Sequence, residues 1–216
     1  MSKPRKVSDD DVFNAVHRAM QQHGPHELTL AHIAAEAGVT PGLLVQRFGS
    51  KRELLLTLSG RFAGCAPALF KQLRAAHPKP LDAIRAYAAC MAGLASTPDA
   101  LSRNLAYLQI DLTDDAFRAN LLANARATRR EIESLLRSAV QAGELNKDVD
   151  PRRLARTVET IVSGSLMSWA CYRQGSAAAW IRRDVDAVLQ PYLASARGSR
   201  TSARRRVDRP MRGSRS

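Results

Sequence analysis

One short run constrains this chain more than any other. From Thr29 to Glu53 it reads Thr-Leu-Ala-His-Ile-Ala-Ala-Glu-Ala-Gly-Val-Thr-Pro-Gly-Leu-Leu-Val-Gln-Arg-Phe-Gly-Ser-Lys-Arg-Glu. Thr29 is a hydroxyl cap for a short helix over Leu30–Ala37, burying Ile33, Ala34 and Ala37. Gly38 stops that helix, because the tight turn needs a left-handed residue and glycine takes that conformation without steric cost. Thr40-Pro41 restarts at once, a cap followed by proline at the first helical position. Leu44 and Phe48 then point inward one turn apart, and Gly49 ends the helix. Ser50-Lys51-Arg52-Glu53 has the pattern of a capping box opening a further long helix.

The rest of the chain has helical period nearly throughout, and no segment alternates as a strand. Ser8 caps a first helix whose opening turn is Asp9, Asp10 and Asp11, suited to the positive end of the helix dipole. Val12, Val16, Ala19 and Met20 form its apolar stripe, with Phe13 at the edge, and Gly24-Pro25 closes it. A helix from Leu54 to about Ala76 contains Pro67, which predicts a kink or break nearby. Leu81–Ser96, Ala100–Leu112, Asp114–Ala142, Pro151–Gln174 and Ala177–Ala196 follow. Leu121, Ala125, Ile132, Leu136 and Ala139 share one face of the longest. The predicted fold is all-α.

Charge narrows the function. The formal net charge is +13, yet residues 9–62 carry five basic against six acidic side chains. Residues 196–216 carry eight Arg against Asp208 alone, and Lys3, Arg5 and Lys6 lie in the first eight residues. Most of the excess therefore sits in two tails predicted to be disordered, 1–8 and 197–216. This disfavours a histone-like protein, basic throughout its fold. At 45% hydrophobic content the middle of the chain can bury a real core. No stretch approaches the roughly 18 uninterrupted apolar residues of a membrane span. A polar start argues against a secretory signal, so a cytoplasmic location is expected. Cys65, Cys90 and Cys171 are odd in number and far apart, which reads as small buried thiols in a reducing compartment. His23 and His26 straddle Gly24-Pro25, but no cysteine lies near them, and no metal or cofactor is expected. Ser163-Gly164-Ser165 is not a nucleophile elbow, and phosphate-binding and dinucleotide loops are absent from the sequence. No residue speaks for catalysis.

Ala34, Gly38, Val39 and Leu44 occupy the positions that a helix-turn-helix constrains: a small residue at the crossing, a glycine turn and apolar locks behind it. The second helix of such a unit can enter a major groove. Residues 9–62, through the Thr29 cap, the Ile-Ala-x-x-Ala-Gly-Val run, Leu44, Phe48, Ser50-Lys51 and Glu53-Leu54, resemble the DNA-binding region of tetracycline-repressor-type (TetR family) transcriptional regulators. The later helices resemble that family's C-terminal half more loosely, through Ala142-Gly143-Glu144-Leu145, Gly164, Trp169, Trp180 and Pro191-Tyr192. The resemblance implies a helix-turn-helix domain over residues 9–55 and a helical effector-binding and dimerisation domain over 56–196.

It further implies phosphate contacts from Thr29 and Lys51, which set register and bring salt dependence. Thr40, Pro41 and Gly42 match the start of the recognition helix. Gln46 and Arg47 are the expected readers of base edges, glutamine toward adenine and arginine toward guanine. Val45 stands where the family often has tyrosine, and could pack on a thymine methyl. Leu43, where the family often has a hydroxyl or small residue, is expected half buried or against sugar. His32 either contacts phosphate or base, or is a solvated histidine. Thr29 and Thr40 serve equally as plain caps, and Lys51 and Arg52 as plain surface charge. Asp9, Asp10 and Asp11 are expected at the far end of the first helix, away from a cluster of Arg47, Lys51 and Arg52 near the groove.

Paired half-sites favour a two-fold dimer. The resemblance suggests its interface in the last two long helices, through Val158, Ile161, Val162, Leu166, Trp180, Val185, Val188 and Leu189. The alternative is that these stripes bury within one chain, and Gly164 permits close helix approach in either case. A small-molecule pocket is implied between the middle helices, with Met91, Tyr107, Leu108, Phe117, Leu121 and Trp169 as candidates, although such residues are more often plain core. The expected function is that of a ligand-released repressor, dimeric on a palindromic operator. The alternative is a sequence-indifferent, nucleoid-type DNA binder using its basic tails.

Overall fold

The computed structural model describes residues 7–93 and 97–194. The predicted disorder of residues 1–8 and 197–216 falls outside these residues, apart from Val7 and Ser8. Ten α-helices follow in order: α1 Asp9–Gln22, α2 Leu30–Ala37, α3 Pro41–Phe48, α4 Lys51–Ala63, α5 Cys65–Ala76, α6 Pro80–Ala92, α7 Pro98–Thr113, α8 Asp115–Gln141, α9 Pro151–Tyr172 and α10 Ala177–Leu189. Among the described residues the sole β-type pairing is an isolated bridge between Leu145 and Leu193. No helix there is long and apolar enough to cross a membrane.

Local chemistry explains most boundaries. Thr29 and Thr40 accept from the backbone amides of His32 and Leu43. Gly38 closes α2 at φ +68°, and the amide of Val39 reaches back to the carbonyl of Ala34 at 3.0 Å. A side chain at position 38 would meet no neighbour within 4 Å, so the need for glycine there is purely conformational. The complete capping box is Ser8–Asp11, where both reciprocal bonds form. At Ser50 only half of the predicted box is present: its hydroxyl accepts from Glu53, while the Glu53 carboxylate is taken by Arg52.

The predicted break in the fourth helix lies at Gly64, three residues before Pro67. Gly64 both ends α4 and begins α5, and Pro67 falls in the first turn of α5, where its missing N–H costs nothing. Helix α10 stops at Leu189 rather than continuing to Ala196. A 3-10 turn over Gln190–Tyr192 carries the chain into the bridge, where Asn146 donates to Tyr192 and Ala194 to Glu144. The two tryptophans hold the α9–α10 turn, with Trp169 Nε1 donating to Gly175 and Trp180 Nε1 to Gln174.

Two apolar clusters form. The N-terminal one joins Val12, Phe13, Val16, Leu28, Ile33, Leu44 and Leu54, and also takes Leu58 from beyond residue 55 and Tyr107 from α7. The C-terminal one is built on Phe70, Ile84, Tyr87, Ile132, Leu136, Val158, Ile181 and Leu189. Each large side chain so buried is worth about 1.5–3 kcal/mol.

Several expectations are corrected here. Cys65, Cys90 and Cys171 are all exposed, because each falls off the apolar stripe of its helix. Val158, Val162, Val185 and Leu189 lie inside the chain's own core, since α9 and α10 pack on each other and on α6 and α8. Gly164 is exposed and its missing side chain admits no neighbour from the same chain.

Candidate nucleic-acid interface

Helix α3 divides sharply. Leu44 is fully buried against the N-terminal cluster, while Pro41, Gly42, Leu43, Val45 and Gln46 are exposed. Leu43, expected half buried or against sugar, is 42% exposed and Val45 48%. The apolar lock therefore turns one face of the helix inward and offers the other, with Thr40 at its start, to solvent. Thr29 and Thr40 are also exposed. A hydroxyl that accepts a capping bond keeps its own O–H to donate, so capping and phosphate binding are compatible at both threonines.

The cations behave differently from one another. Lys51 Nζ donates to the carbonyls of Leu28 (2.7 Å) and Pro25 (3.2 Å), tying the start of α4 to the loop before α2. Two of its three protons are committed and one remains. Arg47 is held against the start of α1: it pairs with Asp9, donates to the Val7 carbonyl at 2.8 Å, and lies 5.5 Å from the Phe48 ring centre. Arg61 pairs with Asp10 at 2.6 Å and covers Phe13. The acidic start of α1 is thus not remote from the basic residues. The contact of Phe13 with Phe48, 5.9 Å between ring centres, brings α1 and the end of α3 together.

Arg52 is held at the α7–α8 junction. Its guanidinium grips Asp114, with contacts of 2.7, 2.9 and 3.1 Å, and lies 5.7 Å from the Phe117 ring centre. That grip holds the Asp114 carboxyl below its ordinary range. Asp114 is also the N-cap of α8, so one carboxylate joins the start of α4 to the α7–α8 junction. A second link runs from Tyr107 Oη to the His23 carbonyl, 3.0 Å. His32 is half buried and stacks on His23 with ring centres 4.0 Å apart, leaving its Nδ1 buried without a partner. No group of three His, Cys, Asp or Glu among the described residues could hold a metal ion.

Beside the N-terminal cluster lies a cavity of about 250 Å³, walled by α1, α4, α7 and α8. Tyr107, Phe117 and Leu121 from the sequence reading line it, together with His17, Met20, Leu55, Leu58, Ser59, Phe62, Ile110, Asp111, Asn120 and Asn124. Leu108 is not among its walls. Met91 and Trp169 belong to the C-terminal cluster instead. Nothing in the local pattern of α1 or α4 marks their cavity residues, because the cavity exists only where those helices meet α7 and α8.

His17 makes an edge contact with Phe62, 5.1 Å between ring centres, and burial holds its imidazole below the ordinary value of 6.5. The unfolded chain takes up a proton near that value while the folded chain resists it. Stability is therefore expected to fall as pH drops below 6.5 through the depressed folded value, by up to about 1.4 kcal/mol per pH unit. Urea midpoints measured on either side of that window should shift, and His17→Gln should reduce the shift.

This is a two-cluster, all-helical protein with a helix-turn-helix at one end, the architecture of a DNA-binding regulator. The model of the bacterial regulatory proteins of the tetR family matches residues 13–58, and that of the tetracyclin repressor-like C-terminal domain matches residues 104–185. Together these span more than half of the chain, and the chain belongs to the tetR family of transcriptional regulators. Members of that family are DNA-binding regulators and not enzymes. No curated protein sequence matches the chain.

Solved structures share the fold. A TetR transcription regulator from Haloarcula marismortui superposes with a TM-score of 0.71 at 17% identity, covering 86% of this chain and 97% of that one. A TetR-family transcriptional regulator from Agrobacterium tumefaciens gives 0.68 at 19%, covering 86% and 97%. SmeT, the repressor of the Stenotrophomonas maltophilia multidrug efflux pump SmeDEF, gives 0.64 at 21%, covering 88% and 93%. SmeT has also been solved as a complex with triclosan.

Proposed function

We propose that this regulator is a ligand-released repressor, binding a palindromic operator as a dimer with one α3 in each half-site. The observation that carries the reading is the split of α3: a fully buried Leu44 behind, and exposed Pro41, Gly42, Val45 and Gln46 in front. Residues 9–55 would form the reading domain and 56–196 the effector and dimerisation domain. In this reading Gln46 reads a base edge, Val45 packs on a thymine methyl, and Thr29, Thr40 and Lys51 meet phosphates. Arg47 joins them by leaving Asp9, and His32 contributes from the first turn of α2.

A dimer is supported by the outer face of α9, where Thr160, Ser163, Gly164 and Met167 are exposed beside half-buried Ile161 and Leu166. Trp180 and Val188 extend that surface onto α10. The cavity walled by α1, α4, α7 and α8 is the proposed effector site, for Tyr107, Phe117 and Leu121. SmeT, whose complex with triclosan is known, supports a ligand-responsive reading. An effector can release the operator only by its preference for the arrangement in which the two α3 helices are mis-spaced.

Footprinting on the DNA beside the gene tests the function. Protection of a short palindrome is the expected outcome. Uniform, length-dependent binding would instead favour a sequence-indifferent binder. The Arg47 contact adds a sharper expectation. Asp9→Asn frees the guanidinium and removes a negative charge near DNA, and should raise operator affinity about two- to fivefold, the scale of one exposed ion pair. Fluorescence anisotropy with labelled operator measures this. An unchanged affinity would show that Arg47 plays no part in binding.

A further inference from the structure

The cavity between α1, α4, α7 and α8 has a chemically one-sided wall. Met20, Leu55, Leu58, Phe62, Ile110 and Leu121 make most of it apolar. Asp111 is the one carboxylate among the lining residues, and no lysine or arginine lines the cavity. Arg52, which lies across the Phe117 ring, is already matched by Asp114. Asp111 is half buried, with no hydrogen bond or ion pair to any other described residue. Its neighbours on α7 and α8 are turned to other partners: Thr113 donates to Gln109, and Asp114 caps α8.

We infer that this cavity takes a monovalent organic cation, an amine carried on an apolar or aromatic body, with the ammonium on Asp111. The inference rests on the reading of this cavity as the effector site. A carboxylate left half-desolvated without a partner is costly, and a cation that also brings apolar surface relieves that cost while filling the space. Burial already pushes the Asp111 carboxyl above its ordinary range, and an incoming ammonium offsets that desolvation. The other titratable groups on the wall do not compete. Burial keeps the His17 imidazole uncharged near neutral pH, and the Tyr107 hydroxyl, pushed up to about 12, donates to His23. At about 250 Å³ the cavity is just below the usual range of drug-sized pockets, which suits a ligand of one or two rings. Its walls come from α1 and α4 on the reading side and α7 and α8 on the other, so occupancy bears directly on how the two ends sit together.

Phenylbutylamine and phenylbutanol are a matched pair of probes, alike in shape and different in charge. Isothermal titration of the full chain near neutral pH, without DNA, is expected to show the amine binding about tenfold or more tightly than the alcohol, the scale of a charge-assisted hydrogen bond. Asp111→Asn should abolish that preference and leave alcohol binding unchanged. Leu121→Trp, which fills the cavity, should weaken both. Equal binding of the two probes, binding of neither, or an amine preference that survives Asp111→Asn would overturn the inference. Amine selectivity that depends on Asp111, with an operator footprint indifferent to the amine, would uphold the ligand chemistry and overturn ligand release.

Discussion

Leu44→Ala is expected to destabilise the N-terminal cluster by about 2–5 kcal/mol, the cost of a large cavity that its neighbours cannot close. Leu44 is fully buried and is the side chain that fastens α3 to α1, α2 and α4. Its loss removes the anchor that decides which face of α3 is exposed. Operator binding should be lost well before the C-terminal helices melt, because the C-terminal cluster is built from separate residues. Urea denaturation followed by circular dichroism, alongside gel shift on the footprinted site, measures both. A variant with wild-type stability and affinity would show that Leu44 does not set the presentation of α3.

Gln46→Ala tests the opposite face. Gln46 is exposed and supports no neighbour, so the fold should be unaffected. Loss of a bidentate base contact costs about 1–3 kcal/mol, roughly five- to a hundredfold in operator affinity. The loss should appear as relaxed preference at one base pair in each half-site. The salt dependence should not change, because glutamine neutralises no phosphate. Equal weakening on all sequences would place Gln46 on the DNA backbone instead.

These two residues also mark how far the sequence could be read. Leu44 announces itself, since it falls between a Thr-Pro start and a Phe-Gly stop in a helix too short to bury any other position as deeply. The same holds for Thr29, Gly38 and Thr40, whose roles are settled by partners three to five residues away. Arg47 is the contrary case. Its neighbours in sequence are Gln46, Phe48 and Lys51, and nothing among them indicates that Asp9 and Val7 will hold it. Arg52 resembles Lys51 in sequence, yet one is matched by Asp114 across the domain junction and the other by carbonyls of its own domain. The apolar stripes of α9 and α10 are visible as periodicity. That Val158 and Val185 face inward while Met167 faces out depends on which helices flank them.

What the sequence determined by itself was the all-helical pattern, the caps at Thr29 and Thr40, the Gly38 turn and the helix-turn-helix with its buried Leu44, because those rest on hydrogen bonds and conformations within a few residues. The tertiary structure decided where the charges went and where a cavity opened. The attachment of Arg47 to Asp9, the link from Arg52 to Asp114 and the unpaired Asp111 in its apolar wall join parts of the chain distant in sequence. Such contacts depend on the angle and depth at which whole helices pack, and residue spacing along one helix carries no record of them.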